Sequence, residues 1–277
     1  MVIRRIRIAE TGVRFSLGPP TMLKLFGINI ADLSLVETLA RLNELRLSGG
    51  QHLVVTANPE ILLEARRHPE YRQVVAGASL VLADGVGVIL ASYLMGQPII
   101  KGRVTGVDLV EAIVKDSGKQ RYSVFLAGST EDILNKTTQY FSSKYSNINI
   151  VGRYSGLKIK KYETGVSDGE TNDLIKKINE VKPDVLLLAF GHPKQELWLV
   201  DHLKQLSVKI GMGVGGTFDY LSGSTPWAPR WLRIIGLEWL FRLINEPLRF
   251  SRIVDATIVF PAYVLLGIIK KLFHMEQ

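Results

Sequence analysis

Asp84 closes an apolar run, Ala78 to Ala83, and is followed at once by Gly85-Val86-Gly87 and a helix-like stretch. A carboxylate at the carboxyl end of a buried strand, beside a glycine turn, sits where open α/β sheets carry out chemistry. Two other polar clusters follow apolar runs, Thr56-Ala57-Asn58-Pro59-Glu60 and Gly191-His192-Pro193-Lys194-Gln195-Glu196. Taken singly, each reads equally well as a helix cap, because Asp, Asn and Thr cap helices effectively. Taken together, they suggest three strand ends that converge on one crevice.

Other chemistries are poorly represented. Gly211, Gly213 and Gly216 form a G-x-G-x-x-G match. Its context is wrong for a dinucleotide, because a second glycine turn follows by Gly223 and no acid stands at a strand end about 20 residues on. Backbone N–H groups at Gly215 and Gly216 could instead meet a diphosphate. Ala127-Gly128-Ser129-Thr130 opens a helix and is a weak phosphate candidate. The chain has no Walker sequence, no D-x-D, no H-E-x-x-H and no G-x-S-x-G, and its five histidines are scattered. With no cysteine there is neither a disulfide nor a thiolate metal site. No protein-held metal is expected, so a leaving diphosphate would be stabilised by Arg, Lys and helix N-termini.

These residues need a scaffold, and the hydrophobic pattern supplies one. Strands are predicted over 23–30, 52–56, 79–83, 122–127, 148–152, 184–190 and 207–212. Helical patterns lie over 34–47, 59–76, 86–95, 106–117, 130–144, 171–181 and 193–205. Continuous apolar strands alternating with helices predict an α/β fold, Rossmann-like, with a mainly parallel sheet and helices on both faces. Residues 153–170 read as a long loop. The expected domains are an N-terminal disordered extension (1–21), a catalytic core (22–224), a basic, Trp-rich helical appendage (225–252) and an apolar anchoring segment (253–277).

The net charge of +8 over 277 residues points to an anionic partner: nucleic acid, a phospholipid surface or a phosphorylated substrate. After Ser224, Trp227, Trp231 and Trp239 alternate with Arg230, Arg233, Arg242, Arg249 and Arg252. Such a mixture suits a membrane interface. Residues 253–269 are mostly apolar but carry Asp255 and Pro261. At 17 residues they fall short of the roughly 20 that a spanning helix needs, so an in-plane or re-entrant anchor is favoured.

The clusters also occur in a recognisable order. To those above are added Arg103-Val104-Thr105-Gly106-Val107-Asp108, Gly213 to Asp219, and Ala228-Pro229 through Gly236-Leu237-Glu238-Trp239 to Glu246-Pro247. Over about residues 22–252 the chain resembles the WecG/TagA/CpsF family of bacterial glycosyltransferases. The resemblance implies an inverting, metal-independent transfer from a UDP-sugar, N-acetylmannosamine-like, to a polyprenyl-diphosphate-linked sugar. The setting would be the cytoplasmic face of the cell membrane. Asp84 matches the family's base, and Thr56, Asn58, Arg103 and Gln195 match its polar site residues. Gly215, Gly216 and Asp219 fall in its glycine-rich motif. Trp227 stands where many relatives carry a basic residue, which leaves Arg230, Arg233 and Arg242 as the candidates for the lipid diphosphate. Two other classes stay open: an enzyme acting on a soluble phosphorylated substrate, and a nucleic-acid-binding module. The second is weak, because no basic stripe with stacking aromatics lies on the core. The sequence sets no assembly state, and a homo-oligomer remains open.

Overall fold

A computed structural model describes residues 18–156, 169–229, 232, 238–245 and 250–274. Its centre is an eight-stranded sheet in the order β1-β2-β4-β3-β8-β7-β5-β6. The inner strands β3 (His52–Ala57), β4 (Leu80–Ala83), β5 (Val124–Gly128), β7 (Val185–Ala189) and β8 (Ile210–Gly213) are nearly continuous apolar runs, as a sheet covered on both faces requires. They run parallel, as does edge strand β6 (Ile150–Tyr154). At the other edge, β1 (Met22–Leu25) and β2 (Ile28–Ala31) pair antiparallel. The pattern predicted one strand over 23–30. Instead Phe26 (φ 51°) and Gly27 (φ 83°) form a two-residue turn, whose positive φ values match the twist of a hairpin.

The helices are α1 (Leu35–Ser48), α2 (Pro59–Arg67), α3 (Pro69–Ala76), α4 (Val86–Leu94), α5 (Gly106–Gln120), α6 (Glu131–Lys144), α7 (Gly169–Val181), α8 (Lys194–His202), α9 (Thr217–Leu221), α10 (Glu238–Asn245), α11 (Phe250–Val254) and α12 (Phe260–His274). The helix predicted over 59–76 is two helices. His68 is extended (φ −125°) and Pro69 restarts the chain, because a proline has no N–H to carry a helix onward. Strand side chains alternate between two cores. Leu53, Val55, Leu186 and Leu188 pack with α2, α3, α4, α7, α8 and α12. On the other face, Val54, Leu126, Leu187 and Met212 pack with α1, α5, α6 and α9. Of the expected 1–21 extension, residues 1–17 lie outside the described residues, as do 157–168 of the predicted long loop.

The C-terminal segment departs most from expectation. One helix runs from Phe250 to Lys270, 21 residues, long and apolar enough by length and composition to cross a membrane. A π-helical turn, Asp255–Val259, precedes Pro261, whose ring cannot follow an unbroken α-helix. One face of this helix belongs to the core: Ile253, Phe260 and Val264 are 7%, 1% and 2% exposed. Phe260 meets Phe26 edge to face at 6.0 Å, and the Arg66 guanidinium lies 4.2 Å over the Tyr263 ring. Asp255, the charge noted within the apolar run, receives two 2.6 Å bonds from Arg67 of α2. Those bonds hold its carboxyl below the usual carboxylate range. The opposite face exposes Ile258, Leu265, Leu266, Ile269 and Phe273, and the neighbouring α4 exposes Leu90, Tyr93 and Leu94.

Candidate active site

Strands β4, β3, β8 and β7 are neighbours in the sheet, and their carboxyl ends border one cleft. Sheet order thus joins the three clusters that the sequence set far apart. Asp84 is half-buried one residue past β4. Its N–H donates to the Ala57 carbonyl (2.9 Å), which ties it to the end of β3. Its Oδ2 accepts a long 3.4 Å bond from the N–H of Gly106, the first residue of α5. The carboxylate thus sits at the N-terminal, positive end of the α5 dipole. Thr105 caps α5, its Oγ1 accepting from the Asp108 N–H at 3.1 Å.

Thr56, 7% exposed in β3, and half-buried Arg103 both line the cleft. Asn58 is cap and cleft residue at once. Its Oδ1 accepts from the Ile61 N–H at 2.9 Å, so the amide nitrogen is the part left for a ligand.

Gln195 is 3% exposed and is committed to the protein on both sides of its carboxamide. Oε1 accepts from the N–H groups of Gly191 (3.1 Å) and Gly215 (2.9 Å), and Nε2 donates to Glu196 Oε1 at 2.7 Å. One amide hydrogen remains for a substrate. The glycine pattern of β8 explains how Gln195 fits. A Cβ at Gly211 would fall 2.8 Å from Leu199 and one at Gly213 would fall 2.5 Å from Gln195 Nε2. These glycines let α8 press onto the strand, so the G-x-G spacing is a packing device. Glu196 is 1% exposed; burial pushes its carboxyl above the usual range, against the bonds from Gln195 and Tyr71.

Gly215, in the left-handed region at φ +53°, and Gly216 line the cleft. Asp219, on α9, is not among the lining residues; its carbonyl accepts from the Thr225 N–H at 2.9 Å. Arg230 and Arg233 lie outside the described residues. Arg242 is on α10, but its side chain also lies outside them. Thr130 caps α6, its Oγ1 accepting from the Ile133 N–H at 3.3 Å, and does not line the cleft.

The cleft also gathers residues that the sequence reading did not assign. Trp227 lies there with its ring 6.3 Å from Tyr220. His192 Nε2 is 3.7 Å from Glu60 Oε2. Phe241 of α10 and Arg252 of α11 complete the C-terminal side. The available signal for Arg252 was helical phase: it flanks the stripe of Ile253, Phe260 and Val264, so burying that stripe leaves it at the helix margin.

A parallel α/β sheet with a carboxylate, polar side chains and glycine turns at its strand ends defines an enzyme of Rossmann-like architecture. Its sequence matches the model of the Glycosyl transferase WecG/TagA/CpsF family over residues 23–276, and the chain belongs to that family. It is therefore a glycosyltransferase. The match runs past residue 252, where the resemblance was expected to stop, and takes in α12. Two similar proteins come from Staphylococcus aureus strains MRSA252 and COL. Each is 32% identical over 200 residues, covering 72% of this chain and 74% of the relative, and is named N-acetylglucosaminyldiphosphoundecaprenol N-acetyl-beta-D-mannosaminyltransferase. Family membership favours sugar transfer over the soluble-phosphate and nucleic-acid readings.

Proposed function

We propose that the protein transfers an N-acetylmannosamine-like sugar from a UDP-sugar to a polyprenyl-diphosphate-linked sugar, with inversion and without a metal. The observation that carries this reading is the convergence of Asp84, Thr56, Asn58, Gln195 and the Gly215-Gly216 turn on one cleft. Asp84 takes the proton of the acceptor hydroxyl as its oxygen bonds to the anomeric carbon. The bond from that carbon to UDP breaks on the opposite face, and the electron pair leaves with the diphosphate. Arg103 and, within the glycine turn, the Gly216 N–H receive that charge, the Gly215 N–H being held by Gln195. Arg252, with Arg230, Arg233 and Arg242, serves the lipid diphosphate. The product would feed cell-surface polysaccharide or teichoic acid synthesis.

The test is a panel of UDP-sugars against a synthetic lipid-diphosphate-sugar acceptor, with and without EDTA. UDP release should need the acceptor and be unchanged by EDTA. Release abolished by EDTA and restored by a divalent ion would remove the metal-free reading. Turnover on soluble sugar phosphates alone would remove the lipid acceptor.

A lipid-linked acceptor requires attachment to a membrane, peripheral or monotopic, at the cytoplasmic face in this reading. The outward face of the Phe250–Lys270 helix, with the exposed side chains of α4, is the apolar surface suited to it. Replacing Leu265 and Ile269 together by Ser should weaken binding to anionic vesicles at least tenfold, on a scale of about 1.5–3 kcal/mol per fully buried aliphatic side chain. Co-sedimentation equal to wild type would show that this face is not the contact.

A further inference from the structure

Glu196 does not line the cleft, yet it is 1% exposed and has no ion-pair partner among the described residues. Burying a carboxyl in this way carries a desolvation penalty that an apolar side chain would avoid. Its contacts suggest what it contributes. Tyr71, 0% exposed on α3, donates its hydroxyl to Glu196 Oε2 at 3.0 Å. Gln195 Nε2 donates to Glu196 Oε1 at 2.7 Å. The Gln195 oxygen, so oriented, accepts from the N–H groups of Gly191 and Gly215.

We propose that Glu196 and Tyr71 are positioning residues for substrate binding: they fix the Gln195 carboxamide so that its oxygen staples the Gly215 turn to the loop after β7. A carboxamide can rotate end for end, exchanging its oxygen for a donor. Glu196 offers an acceptor on the side of Nε2, so only one orientation satisfies both ends. If Gln195 were turned over, its NH2 group would confront two backbone donors and the staple would open. The loosened element is Gly215-Gly216, and the inference rests on the reading of that turn as the receptor of the donor diphosphate. Gly213 is the second half of the device, since a Cβ there would displace the Gln195 side chain.

The experiment compares Glu196→Leu, Glu196→Gln, Tyr71→Phe and Gln195→Ala in the full chain, reading donor KM, kcat, UDP affinity by calorimetry and melting temperature. Glu196→Leu should raise donor KM and the UDP dissociation constant about tenfold, as expected when a buried hydrogen bond is lost and its donor left unpaired. Its kcat should fall less than threefold, the signature of lost ground-state binding. Glu196→Gln should return both to within about threefold of wild type, because an amide can accept from Gln195 and donate to the Tyr71 oxygen. Tyr71→Phe should fall between them and provides the test if Glu196→Leu does not fold. Normal donor KM and UDP affinity in both Glu196→Leu and Tyr71→Phe, with both disturbed in Gln195→Ala, would overturn the positioning role. So would a Glu196→Gln variant no better than Leu, or a lowered melting temperature with unchanged KM. If Gln195→Ala also leaves KM and UDP affinity unchanged, it is the assignment of the glycine turn to the donor that fails.

Discussion

Asp84→Asn is expected to lower the transfer rate by about 10²–10⁴-fold, the usual contribution of a positioned general base, while UDP still binds with near wild-type affinity. The substitution is nearly isosteric. Its amide oxygen can still accept from the Gly106 N–H, and its main chain can still donate to Ala57. The cleft therefore keeps its shape and loses the proposed proton acceptor. Single-turnover transfer and UDP calorimetry on one preparation separate chemistry from binding. Retention of a third of the activity would remove Asp84 as the base. Loss of UDP binding together with the rate would recast it as a residue that holds the donor.

Phe260→Ala is expected to destabilise the protein by about 3–5 kcal/mol, the range for truncating a fully buried aromatic side chain. Phe260 is 1% exposed and packs against Phe26 and near Gly87. The resulting cavity would lie where the C-terminal helix meets the β1–β2 turn and α4. Denaturant titration checks the value, and a change under 1 kcal/mol would mean that the helix is not docked in solution. Deleting residues 225–277 is therefore a poor test of membrane attachment, because it removes part of the core with the proposed anchor. The Leu265 and Ile269 pair avoids that confusion, as both residues are half-exposed.

Much of this was legible in the sequence, and what was missed has a common cause. Val185–Ala189 is apolar throughout, so its place inside a two-sided sheet could be read directly. Asp84 and Asn58 were legible because a strand end is a local event. The Phe26-Gly27 turn was not, since phenylalanine at φ 51° is no turn signal and what stabilises it, strand pairing and the Phe260 ring, comes from tertiary structure. Asp255 was read only as a charge within an apolar run, because its partner Arg67 is 188 residues away. The staple at Gln195 depends on β7 lying beside β8, which no spacing within one segment encodes. Local chemistry was visible, whereas the pairing of distant segments had to be seen.

In the proposed membrane-bound state, the double-sided helix at the C-terminus links two equilibria. With its inner face docked through Phe260 and the Arg67–Asp255 pair, its outer apolar face exists as a surface only in the native fold. A bilayer that takes up that surface is then a ligand of the folded state alone, and mass action raises stability by RT ln(1 + [L]/Kd). Folding and recruitment to lipid become one thermodynamic property. A copy released from such a bilayer would give up part of its hold on its own structure.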